Sequence, residues 1–170
     1  MTDDHRAQRT PARTEDPRHH LAQFNVATMR FPLDDPRMAE FVEMLDPVNA
    51  LADTAPGFVW RLVEDGQPDA TRMRPAGDDV IVTFSVWESA EALWDFVYRS
   101  GHLESMRRRR EWFLRHAEAH LVLWWVPAGH VPTVEEGMER LALLRAEGPS
   151  PRAFTFASPF TAEEAGLAPV

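Results

Sequence analysis

Cysteine is absent from the 170 residues, which excludes disulfides, thiolate metal sites and a cysteine nucleophile and suits a reducing compartment. No apolar run approaches the ~20 residues of a membrane span. The opening stretch, MTDDHRAQRTPARTEDPRHH, is polar with no apolar segment behind it, so it reads as neither signal peptide nor anchor. The cytoplasm is the expected location, with no membrane partner. Positive charge is also in deficit: 18 Lys plus Arg stand against 27 Asp plus Glu, a formal net charge of -9, which argues against nucleic acid as a partner. Catalytic and phosphate-binding signatures are missing too, with no GxGxxG, GxxxxGK, HExxH or GxSxG in the chain.

What is present suffices for one domain, since 44% of the residues are apolar and a chain of this length buries a core without staples. Residues 1–19 have almost nothing to bury and are expected to form a disordered tail, His19 and His20 included. Alternation then predicts a strand from Leu21 to Met29. Asp35 followed by Pro36 opens a helix to about Asp53, with Met38, Phe41, Val42, Leu45 and Val48 at helical spacing. After Pro56-Gly57, Phe58 to Glu64 reads as a second strand and Val80 to Trp87 as a third. Ser89 caps a helix through Arg99, Ser100-Gly101 ends it, and His102 to Arg115 reads as the next helix. His120 to Val126 is the fourth strand, and Thr133 with Glu136 forms a capping box for a helix to about Ala146. A short edge strand is expected around Phe154 to Phe156, with 158–170 a loose tail and residues 20–157 the folded domain.

The order βαββαβ plus a C-terminal helix predicts an α+β, ferredoxin-like domain. Strand parity assigns Phe24, Val26, the even residues from Val80 to Val86, Leu121, Leu123 and Trp125 to the face beneath the helices. The other face then presents Gln23, Asn25, Thr83, Ser85, Trp87, His120, Val122 and Trp124, with Trp60 or Arg61. Indoles interspersed with hydrogen-bonding groups make typical ligand-chamber walls. A second copy of the chain would cover that face and produce a homodimer; folding of the C-terminal segment over it is the alternative.

PGFVWRL (Pro56 to Leu62), SVWES (Ser85 to Ser89), FVYRSGH (Phe96 to His102), RRRREWF (Arg107 to Phe113) and LWWVPAGHVPT (Leu123 to Thr133) together resemble a bacterial family of unknown function. That family lies within the dimeric α/β-barrel superfamily, which includes antibiotic-biosynthesis monooxygenases, stress-responsive barrel proteins and muconolactone isomerases. The resemblance implies a dimeric barrel binding an aromatic or polyketide-type small molecule. Cofactor-free oxygenation or isomerisation is one implied activity, and ligand sequestration without turnover is another. Haem held by a histidine is a further alternative.

Within that frame His102, after a helix-ending Ser-Gly, is the candidate general base or axial haem ligand, and His120 at the head of the fourth strand is the second candidate. Four consecutive arginines span a whole helical turn, so most face solvent; Arg109 is the one assigned inward to hold an anionic oxygen. Asn25 is a polariser of a substrate oxygen, and Trp60, Trp87, Trp112 and Trp124 with Thr83 and Ser85 are the expected binding walls.

Overall fold

A computed structural model describes residues 17–167. The elements run β1 (His19–Thr28), a 3-10 turn (Pro36–Met38), α1 (Ala39–Asp53), β2 (Phe58–Arg61), β3 (Val80–Trp87), α2 (Ala90–Arg99), α3 (His102–Trp112), β4 (Leu121–Pro127) and α4 (Val134–Glu147). The four strands form one antiparallel sheet in the order β2-β3-β1-β4. This is the expected ferredoxin-like α+β arrangement. No helix of the described residues is long and apolar enough to cross a membrane.

Helix starts follow the capping chemistry written in the chain. Asp35 accepts from the Arg37 amide at 2.9 Å, Ser89 from the Ala92 amide at 2.9 Å, and Thr133 from the Glu136 amide at 3.2 Å. The Glu136 carboxylate returns the last bond by accepting from Thr133 N at 2.8 Å, completing the capping box.

β1 pairs with β3 and β4, placing Leu21 opposite Trp87 and Trp125, Gln23 opposite Ser85 and Leu123, and Asn25 opposite Thr83 and Leu121. Because strand side chains alternate, two faces result. Ala22, Phe24, Val26, Val82, Phe84, Val86, Val122, Trp124 and Val126 pack with Leu141 and Leu144 of α4. Gln23, Asn25, Ser85 and Trp87 lie beneath α1, α2 and α3, and Leu21, Leu123 and Trp125 share their face, with Leu123 and Trp125 against the C-terminal segment at Phe154 and Phe160.

Several expectations need correction. β4 carries the opposite parity from the one assigned: Leu121, Leu123 and Trp125 share the Gln23 face, while Val122 and Trp124 lie under α4. The helices α1–α3 cover the half-polar face and not the Phe24 face. Elements of the same chain pack on both sheet faces, with Thr83 left exposed on the half-polar one; Trp87 and Trp124 are each 1% exposed, and the exposed-indole ground for a second copy does not hold. His19 and His20 belong to β1, opposite Pro127 and Val126, and not to a tail; residues 1–16 lie outside the described residues. β2 ends at Arg61, before the loop to Val80, and α3 ends at Trp112. Phe154 exchanges both backbone hydrogen bonds with Leu123, at 2.8 and 2.9 Å, so the edge strand is reduced to one bridge. The segment after it is docked, not loose: Trp125 Nε1 donates to the Phe160 carbonyl at 2.7 Å, and Ala162 is buried.

α4 packs tightly on the sheet at Gly137, where an added Cβ would sit 2.5 Å from the fully buried Phe24 ring. Gly137→Ala gains ~1 kcal/mol of helix propensity but overpacks this contact. It is expected to lower stability by about 1–3 kcal/mol, read as a lower urea midpoint with unchanged slope; an unchanged midpoint would show that α4 is not held this close.

Candidate functional site: a chamber between the sheet and three helices

The half-polar sheet face and the helices beside it line a cavity of about 580 Å³ that opens to solvent at Thr83, within the ~300–1,000 Å³ usual for small-molecule sites. Short polar side chains on the floor are the reason for the space. Asn25 and Thr83 are cross-strand partners there, as are Gln23 and Ser85, and none of them is bulky enough to meet the helices. The roof is apolar where α1 contributes Phe41, Met44, Leu45 and Val48, and where α2 contributes Leu93, Phe96 and Val97.

A hydrogen-bond relay orders the floor. Trp87 Nε1 donates to Ser85 Oγ at 2.9 Å, and Ser85 Oγ donates to Gln23 Oε1 at 2.9 Å. With its oxygen committed, Gln23 keeps its amide NH2 for the cavity. The Asn25 amide makes no hydrogen bond to the described residues and faces the same space.

α3 brings the titratable groups. His102, Ser105, Met106 and Arg109 line the chamber, at positions that share one helix face. The His102 ring lies on Phe96 of α2 at 5.0 Å and 8°, and Phe96 stacks in turn on Trp87 at 5.0 Å and 26°. Ser105 Oγ donates to the His102 carbonyl at 2.8 Å and lies 3.2 Å from Nδ1. With the hydroxyl proton on the His102 carbonyl, Ser105 accepts at Nδ1, an arrangement that matches the imidazole proton on Nδ1 and a free lone pair on Nε2. Burial holds the His102 pKa below the ordinary imidazole value.

The other end of the chamber contains Arg109 and His120, with Nη1 3.5 Å from Nε2. His120 stacks on His116 at 5.2 Å and 17°. Its pKa is lowered by burial first and then by Arg109, His116 and Arg145; that of His116 is lowered by burial, Arg145 and Arg109. Among the described residues no group of three or more His, Cys, Asp or Glu is arranged to hold a metal ion.

A family model described as "Domain of unknown function (DUF3291)" matches residues 20–168. The chain belongs to the DUF3291 family. No curated protein matches it. Solved structures similar to this DUF3291 chain include SnoaB, a cofactor-independent oxygenase from Streptomyces nogalater, at 17% identity, covering 66% of this chain and 95% of that one with a TM-score of 0.44. A Mycobacterium tuberculosis protein overlaps at 14% identity, 67% and 99% coverage and a TM-score of 0.46. A Streptomyces coelicolor monooxygenase in complex with nanaomycin D overlaps at 15% identity, 69% and 96% coverage and a TM-score of 0.41. Overlaps this partial assign no residue and no reaction to the DUF3291 chain.

Of the residues singled out from the sequence, Asn25, Thr83, Ser85, Trp87, His102, Arg109, Trp112 and His120 all line this cavity. Trp60 and Trp124 do not. They pack edge-on and tilted against Phe84, at 5.5 and 5.6 Å, on the face under α4, because each shares the parity of the even residues of β3. Gln23 was placed on this face but given no role, and Ser105, Phe96 and His116 went unassigned. Ser105 stands three residues beyond His102 at a helix start, the one spacing signal that would have suggested it as a partner. The pairing of Gln23 with Ser85 needed the strand register, and Phe96 stacking needed the α2–α3 junction.

The three depressed histidines set a pH dependence. Between their folded values and the ordinary ~6.5, the unfolded chain binds more protons than the folded one, so stability rises with pH through this window and is lost as pH falls. The melting temperature of the DUF3291 chain is expected to drop on acidification below about pH 6.5. His102→Gln and His120→Gln should each flatten the dependence; a melting temperature that is level or rising on acidification would contradict these assignments.

Proposed function

We propose that this protein binds a flat, hydroxylated aromatic molecule in the chamber and removes a proton from it through His102 Nε2, the step that cofactor-free oxygenation and isomerisation have in common. The observation that carries this reading is the His102 arrangement: a half-buried imidazole stacked on Phe96, with Ser105 Oγ 3.2 Å from Nδ1, a contact that supports Nε2 as the acceptor. A base with a pKa below the ordinary imidazole value is unprotonated at neutral pH and needs no prior activation. Trp87, Phe96 and Trp112 supply apolar and aromatic wall, and the amides of Gln23 and Asn25 are donors for the oxygen on which charge develops.

Binding 1,5-dihydroxynaphthalene to the full chain, followed by tryptophan fluorescence, with oxygen uptake followed by electrode, tests the proposal. The wild type is expected to bind the diol and consume oxygen. His102→Ala should keep its circular dichroism and lose ~10²- to 10⁴-fold in turnover, the usual effect of removing a general base. Binding without turnover by the wild type would favour a sequestering protein and overturn the proton-transfer role. A Soret band in the purified protein would overturn the cofactor-free reading.

A further inference from the structure

The role given to His102 leaves the opposite pole of the chamber unexplained. Arg109 lies seven residues on, on the same face of α3, about 10 Å along the helix. Other arginines here meet acids, as Arg108 does with Glu40 and Glu111, Arg61 with Asp53 and Arg37 with Asp35, or donate to backbone carbonyls, as Arg30, Arg74 and Arg140 do. Arg109 is half-buried and pairs with no carboxylate among the described residues; its one polar side-chain contact is His120. A guanidinium turned into a cavity without a counter-charge is costly, and more unusual in a chain of net charge -9.

The surroundings repeat the same sign. His116 stacks on His120, and α4 contributes Arg145, which acts on both rings and donates through Nε to the Ala119 carbonyl at 2.8 Å. From β1 the Thr28 amide donates to His116 Nε2 at 3.4 Å. The acid of this cluster is Glu118, whose side chain is 72% exposed and 3.7 Å from Arg145.

We propose that Arg109, backed by His120 and His116, is a seat for the anionic group of the chamber's ligand, an aromatic carboxylate or sulfonate. The inference rests on the reading of the chamber as an aromatic site and adds the ligand's charge and orientation: anion at Arg109, acidic hydroxyl toward His102. Burial and then the arginine charges hold the imidazoles below their ordinary pKa; an anion placed beside them favours their charged form, so seating it draws a proton onto the pair, and affinity increases as pH falls through the imidazole range.

Naphthalene-2-sulfonate, ionised throughout, and the neutral naphthalene-2-sulfonamide are the probes. Both are titrated calorimetrically into the full chain at about pH 6 and about pH 7.5, in two buffers of different ionisation enthalpy. The sulfonate is expected to bind about tenfold or more tighter, with a preference that widens at the lower pH and a heat that reports proton uptake. Arg109→Gln should abolish the preference while still binding the sulfonamide. Equal affinities, a preference kept by Arg109→Gln, or a heat independent of buffer would each overturn the seat while leaving the aromatic chamber intact. If neither probe binds the wild type, the chamber reading falls and the seat with it. Should Arg109→Gln fail to fold, the wild-type preference and proton count decide the question alone.

Discussion

A strand in the middle of a sheet that is covered on both sides has to supply two different surfaces from one run of residues, and β1 does this with a period of two. Ala22, Phe24 and Val26 go to one side, where α4 approaches until Gly137 meets the Phe24 ring. Gln23 and Asn25 go to the other, where three helices cross above them. The first surface is packed shut, and its contacts hold the sheet rigid. The second cannot be packed shut, because its central side chains are short and their polar groups need partners. A rigid platform with an unfilled polar centre is what turns a common α+β layer arrangement into a container.

The container has a direction. Its floor offers donors from Gln23 and Asn25, its α2 wall is aromatic and aliphatic, and α3 runs across it with a neutral imidazole at one end and a guanidinium at the other. One helix therefore sets the separation of the two ionisable groups, and its regular rise makes that separation insensitive to side-chain repacking elsewhere. The cluster of positive groups at the Arg109 end sits where α3, β4 and α4 converge, so the C-terminal helix contributes to the electrostatics of a chamber it does not line.

Much of this could be read from residue order. Capping residues at Asp35, Ser89 and Thr133 located three helix starts, and alternation in β1 and β3 assigned Gln23, Asn25, Thr83 and Ser85 to one face, because apolar and polar residues alternate cleanly there. β4 was opaque for the opposite reason: Leu121 to Val126 is apolar at every position, so parity carries no information and only pairing with β1 decides which indole faces which side. That one-residue ambiguity misplaced Trp124 and, with it, the argument for a second copy. The C-terminal segment misled because its apolar residues, Phe160, Ala162, Ala165 and Leu167, show no strand or long-helix period, yet they pack against Trp125 and Phe154, with one indole-to-carbonyl bond fixing the segment.

The stack of Trp87, Phe96 and His102 has a mechanical consequence. Phe96 lies between a floor indole and a roof imidazole, each 5.0 Å away, and the same indole anchors the relay that aims Gln23. Phe96, on α2, therefore touches both the ring of the proton acceptor on α3 and the indole on β3 that anchors the amide donor, so a single side chain ties the two reacting groups of the chamber to each other.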